Sequence, residues 1–286
     1  MGDLPFYVSY NSADVWAHRD LFLLDAQGTI TGIAGVPPDA FSDTGQLWGM
    51  PVFNWEAMKQ QDYKWWTERL KKNIELFDYV RLDHFRAFAD YWVVPGGEST
   101  AENGEWQLGP GEDFFETIKN ALGSLPFVAE DLGESSPAVA DLRDRLELTG
   151  MKVLQFAFEE NMPHSEYIPH RYITNCIVYT GTHDNNTIKG WFRKVIDEET
   201  KTRLENYVGV KVTEENVNAV LIRLAYASIA KTAILPIQDL LNLDENSKMN
   251  SPGSGDDNWL WRLAPGQVTA EHEHYLKQLT LTYDRD

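Results

Sequence analysis

Three segments of this chain share one design: an apolar run that ends on a carboxylate, with a helical pattern after it. They are Val80-Arg81-Leu82-Asp83-His84-Phe85-Arg86, Leu125-Pro126-Phe127-Val128-Ala129-Glu130-Asp131-Leu132-Gly133, and Asn175-Cys176-Ile177-Val178-Tyr179-Thr180-Gly181-Thr182-His183-Asp184-Asn185. Short continuous apolar runs bounded by turn residues read as strands buried on both faces. Strands that alternate with helices and each deliver an acid at their end predict a ring of parallel strands whose working face lies at the strand C-termini. The expected fold class is therefore α/β, a (β/α)8 barrel of the TIM type carrying a carboxylate site.

The first segment carries the most chemistry. Asp83 after a strand has an ordinary explanation as the cap of whatever follows. Arg81 argues for more, because side chains alternate along a strand and residues 81 and 83 share a face. A guanidinium there holds the carboxylate ionised and aimed, which a cap does not need. His84 and His183 each adjoin an acid, but no Ser or Cys nucleophile pattern accompanies them. They read as neutral hydrogen-bonding groups.

With 286 residues and 43% apolar content, the chain can bury a sizeable core, and one domain spanning 1–286 is the simplest account. Its net charge of -19 opposes polyanions, so neither nucleic acid nor an anionic membrane is an expected partner. The single cysteine, Cys176, has no disulfide partner. With no signal-like N-terminus and no apolar run of about 18 residues, the reading is cytoplasmic. No Cys/His spacing suits zinc and no Gly-rich loop suits a phosphate, so neither a metal nor a cofactor is expected. The 10 Trp, 12 Tyr and 13 Phe include several in polar, Gly/Pro-rich surroundings. Rings beside acids and amides suit ligands with apolar faces and hydroxyl rims, and sugars fit that description.

In chain order, strands are expected near residues 4, 78, 126, 152, 175 and 232, with helices over about 62–75, 112–122, from 137, and over 187–193, 197–207 and 214–230. That makes six strands where a closed barrel needs eight. The stretch 24–51 reads as loop from its Gly and Pro punctuation, as does 91–111. Within the former, Asp39, Phe41, Ser42, Gln46 and Trp48 have the composition of a lid over a polar ligand.

These motifs, in this order and on separate strands, resemble the catalytic regions of the amylomaltases, the 4-alpha-glucanotransferases related to alpha-amylases. Residues 35–49 resemble that family's mobile lid loop. Met249-Asn250-Ser251-Pro252-Gly253, with Trp259 and Arg262, resembles its C-terminal segment. The likeness runs from Gly2 nearly to the end. It implies an incomplete barrel that begins near the family's third strand, with the lid inserted at about 24–51. It implies transfer of alpha-1,4-glucan segments between maltooligosaccharides, by a retaining double displacement. Asp83 would be the nucleophile, Glu130 the general acid/base, and Asp184 the carboxylate that holds sugar hydroxyls. Arg81, His183, Trp48, Phe41, Asp39, Ser42, Gln46 and Asn250 would bind substrate. Met50 stands where the family pattern leads one to expect a polar residue.

Retaining transfer needs two carboxyls about 5–5.5 Å apart. Glu130, beside Val128 and Ala129, can have its pKa raised enough to begin as an acid. Asp131 competes for that role, but alternation puts 130 and 131 on opposite faces, so only one can enter the ring and the other is a structural hydrogen-bonder. Two other outcomes stay open: an alpha-glucan hydrolase of the amylase type, and an inactive or glycan-binding fragment. Unpaired barrel edges would favour self-association.

Overall fold

The structure is a computed structural model and describes residues 1–38, 42–133, 136–252 and 257–285. The chain forms two compact units, Met1–Gly150 and Met151–Asp286. It is mixed α/β, with two three-stranded sheets, one four-stranded sheet and no closed barrel among the described residues.

In chain order the first unit contains β1 (Gly2–Leu4), α1 (Ala13–Ala17), β2 (Gly32–Val36), β3 (Gln46–Pro51), α2 (Trp55–Gln60), α3 (Lys64–Leu76), β4 (Val80–Leu82), β5 (Asp90–Pro95), β6 (Glu105–Leu108), α4 (Gly111–Leu122), β7 (Phe127–Ala129) and α5 (Pro137–Arg145). β4 lies between β1 and β7, parallel to both, with Leu4, Leu82 and Ala129 in register. Pro5 has no N–H to give, so the ladder of β1, the strand expected near residue 4, stops before it. The stretch expected as a strand near residue 78 is likewise divided. Leu76 closes α3, Phe77 and Tyr79 are 40% and 54% exposed, and the strand begins at Val80.

A second sheet corrects the reading of 24–51 and 91–111 as loop. β2, β3, β5 and β6 form an antiparallel sheet in the order β3-β2-β5-β6. The glycines that suggested loop are what let these strands approach. A Cβ on Gly35 would sit 2.4 Å from the carbonyl oxygen of Gln46, and one on Gly45 would sit 2.4 Å from that of Val36. Gly45 also has φ +67°, a left-handed conformation that suits glycine.

Aromatic rings fill the core beneath the parallel sheet. Phe6 packs 4.8 Å from Phe88, Phe88 5.0 Å from Phe114, and Phe114 5.7 Å from buried Trp66 of α3. Full burial of such a ring contributes about 1.5–3 kcal/mol. The consequence for the site is local: Phe85 and Phe88, on the single 3-10 turn Phe85–Phe88, anchor the chain directly after Asp83 and His84. Arg69 on α3 fastens the other side, donating to the carbonyls of Pro5 (2.7 Å) and Phe6 (3.0 Å) beneath the Trp65 and Trp66 rings. Burial pushes its guanidinium down to about 10.

The second unit contains β8 (Gly150–Val153, which begins at the boundary), β9 (Cys176–Tyr179), α6 (Ile188–Lys194), α7 (Glu198–Val208), α8 (Val217–Ala227), β10 (Thr232–Ile234), α9 (Ile237–Leu240) and α10 (Ala270–Thr282). β9 is central, flanked by β8 and by parallel β10. Cys176, Val178, Ile188, Trp191, Leu204 and Leu221 make its core. No helix among the described residues is long and apolar enough to cross a membrane.

Candidate active site

The register of the parallel sheet brings the first two acids together. Leu82 faces Ala129 across the ladder, so Asp83 and Glu130 are the next residues on neighbouring strands. The main chain continues the pairing past the strand ends: Asp83 N donates to Leu4 O (3.1 Å), and Glu130 N to Leu82 O (3.1 Å). Adjacent strands lie about 4.8 Å apart, which sets the spacing of what they carry.

Arg81, on the same strand face as Asp83, reaches it at 2.8 Å. Its other contact is Asp3, whose two carboxylate oxygens accept from Nη1 at 2.6 and 2.8 Å. Burial works against the guanidinium, but Asp83, Asp3 and Glu130 outweigh it and raise its pKa. The Arg81 side chain is therefore a fixed cation between acids. Asp3 was not among the residues singled out from sequence. Its only signal is that β1 places it opposite Arg81, a pairing visible once the strands are aligned.

Glu130 is held by main-chain amides. His84 N donates to Oε2 (2.8 Å) and Leu132 N to Oε1 (3.0 Å). Burial nonetheless pushes its carboxyl up to about 7; Arg81 and the two amides pull it down, and Asp83 adds to the rise. His84 can aim its amide this way because it adopts a left-handed conformation, φ +49°. Such a conformation in a non-glycine residue costs about 1–3 kcal/mol and is held by its surroundings, here the Phe85 and Phe88 anchors. Burial pushes the His84 imidazole down to about 4, so it is neutral at pH 7. Asp131 turns elsewhere: its side chain is 3% exposed and ion-paired with Arg143.

Trp48 of β3 meets the His84 ring edge-to-face at 5.0 Å and lies 6.1 Å from Tyr7. Its indole N–H donates to Gln46 Oε1 (3.2 Å). The Ser42 hydroxyl donates to Gly45 O (2.7 Å) and closes the turn before β3. Met50 packs against the aromatic core. Asp39 and Phe41 lie outside the described residues.

The second unit gathers its own group. His183 Nε2 is 3.2 Å from Asp184 Oδ2, and Asn250 Nδ2 donates to Asp184 Oδ1 (2.6 Å). Asn250 N also donates to His183 O (3.1 Å). Trp259, not named as a site residue from sequence, lies 5.1 Å from the His183 ring. Nothing local in the sequence marks that contact, which depends on Trp259 N bonding to Met249 O. A carboxylate held by an amide, beside an imidazole and an indole, can take hydroxyl hydrogens and offer an apolar face.

The 4-alpha-glucanotransferase profile of glycoside hydrolase family 77 matches residues 1–269. The chain is 47% identical to a 4-alpha-glucanotransferase of Streptococcus pneumoniae over 100% of its own length and 56% of that protein's. It is 48% identical to one from Synechocystis, over 99% of this chain and 56% of the other. A solved amylomaltase from Streptococcus agalactiae, in complex with acarbose, superposes with a TM-score of 0.94 at 41% identity, covering 99% of this chain and 57% of that one. The chain thus spans about half the length of these relatives. From the profile match and from identity along its whole length, this chain belongs to the 4-alpha-glucanotransferase family, glycoside hydrolase family 77.

Proposed function

We propose that this chain carries the catalytic pair of a 4-alpha-glucanotransferase acting on alpha-1,4-glucans and maltooligosaccharides. The observation that supports this best is the contrast between two neighbouring carboxyls: Asp83 is paired with a buried guanidinium, while Glu130 is pushed up to about 7. A carboxyl paired with a cation beside one that burial favours in its protonated form suits a nucleophile and a general acid.

In this reading an Asp83 oxygen attacks the anomeric carbon as the bond from that carbon to the leaving O4 breaks. Glu130 gives its proton to that oxygen, and the shortened glucan departs. A 4-hydroxyl of an acceptor glucan then attacks the same carbon and expels Asp83, while Glu130 takes the hydroxyl proton back. Two inversions give retention. Asp184, with His183 and Asn250, holds sugar hydroxyls. Trp48 offers a stacking face to the acceptor and keeps water from the intermediate, which favours transfer over hydrolysis. Each parallel sheet is read as part of a (β/α)8 barrel. The location is read as cytoplasmic, in keeping with a sequence that holds a single cysteine.

The test is incubation with maltotriose and separation of products by length. A ladder of longer maltooligosaccharides with released glucose, abolished in Asp83→Asn, is expected, and Trp48→Ala should shift the balance toward hydrolysis. An unchanged substrate in a folded sample would remove this chain from the list of self-sufficient transferases, and a ladder undiminished in Asp83→Asn would remove Asp83 as nucleophile.

A further inference from the structure

One buried acid in the second unit takes no part in this chemistry. Asp239, on the short α9, is 1% exposed. Its Oδ2 accepts from the Thr180 hydroxyl (2.7 Å) and its Oδ1 from Ile188 N (2.8 Å). Its own carbonyl accepts from the buried Asn218 side chain (2.6 Å), which fixes the backbone of α9 against α8. Thr180 is the first residue beyond β9 and Ile188 the first of α6. One carboxylate therefore joins the two ends of the loop 180–188, and that loop carries His183 and Asp184.

The same stretch of chain returns to the loop at its tip. Eleven residues after Asp239, Asn250 bonds both the Asp184 carboxylate and the His183 carbonyl. Gln155 adds a third hold by donating to Asn186 O (2.8 Å). Inside the loop, Thr182 N and Oγ1 both donate to Asn185 Oδ1 (2.8 and 2.9 Å). The loop is thus folded on itself, pinned at its base by Asp239 and at its tip by Asn250. A buried carboxylate is an expensive way to hold a fold, because apolar side chains of similar volume often serve as well. It is an effective way to fix two donors from different elements at one point.

We propose that Asp239 is a positioning residue, which holds the His183–Asp184 loop in the geometry that binds glucan. The glucan part rests on the function proposed above; the positioning part rests on the loop alone. Thr180→Val removes one donor to Asp239 with little change of shape, Thr180→Ser restores the hydroxyl, and Asp239→Asn keeps an acceptor for Ile188. Two readouts separate the claims: amide hydrogen exchange with the His183 ring resonance by NMR, and the dissociation constant for acarbose.

In Thr180→Val, exchange at Asp184 and Asn185 should rise about tenfold or more, with a displaced His183 resonance, as expected for losing a hydrogen bond to a charged group. Core amides of β9 and α8 should keep their parent rates, acarbose should bind about tenfold more weakly, and Thr180→Ser should recover both. Unchanged loop exchange and an unmoved His183 resonance in both Thr180→Val and Asp239→Asn would overturn the proposal. So would a uniform rise across the unit, which would make Asp239 a residue of the fold only. A loosened loop in a parent chain that never binds acarbose would leave the positioning role supported and overturn the glucan reading.

Discussion

Glu130 ties stability and chemistry to one carboxyl. Its carboxyl is pushed up to about 7 by burial from the ordinary 4.5, although Arg81 and two amides oppose the rise. Between those values the folded chain keeps a proton that the unfolded chain has lost, so this group's contribution to stability falls as pH rises from about 4.5 to 7. Glu130→Gln should therefore melt higher than the parent at pH 8 and gain nothing at pH 4; equal differences at both would show that the carboxyl is not perturbed. The same protonation bears on catalysis, since a general acid must enter the cycle protonated. The kcat/KM for maltotriose should decline on the alkaline side with a midpoint near 7, and a flat profile to pH 9 would remove Glu130 as the acid. His84 has the opposite sign. Its imidazole is pushed down to about 4, so stability is lost as pH falls from 6.5 toward 4. The Arg81–Asp83 pair is legible in the sequence because alternation along a strand needs no tertiary knowledge. Asp3 is not, because its role arises only when β1 pairs with β4.

At the scale of elements, the parallel strands are legible for a physical reason. A strand buried on both faces must be a short apolar run, and β7 and β9, in which every residue is buried, show it; β1 and β10, which carry Asp3 and Thr232, do not. Helices such as α3, α4 and α7 begin and end within about two residues of their sequence reading, since each carries a helical apolar stripe and a clear stop. The antiparallel sheet is hidden because its strands mix exposed residues with glycines placed for close approach. Those glycines make a prediction. Gly45→Ala adds a methyl 2.4 Å from Val36 O in a left-handed conformation, so it should cost about 1–3 kcal/mol and disturb Trp48, three residues on. Thermal unfolding with indole fluorescence reads both, and a melting temperature and spectrum equal to the parent's would contradict this use of Gly45.

At the scale of the molecule, two features oppose each other. The net charge of -19 keeps copies apart at low salt. The outer edge of β1, which pairs only with β4 among the described residues, invites another strand. Sedimentation equilibrium should find association that strengthens with salt as the repulsion is screened, and a monomer at every salt concentration would contradict the open edge. In the function proposed above, this chain, about half the length of its relatives, assembles a retaining site around Asp83 and Glu130. The most direct measurement is covalent trapping in Glu130→Gln with alpha-maltosyl fluoride, whose leaving group needs no acid while the second step still lacks its base. The expected result is an intact mass raised by one maltosyl unit, located on the peptide that contains Asp83 and absent from the Asp83→Asn, Glu130→Gln double variant. A label on any other residue, or no label on a folded chain that binds acarbose, would contradict it.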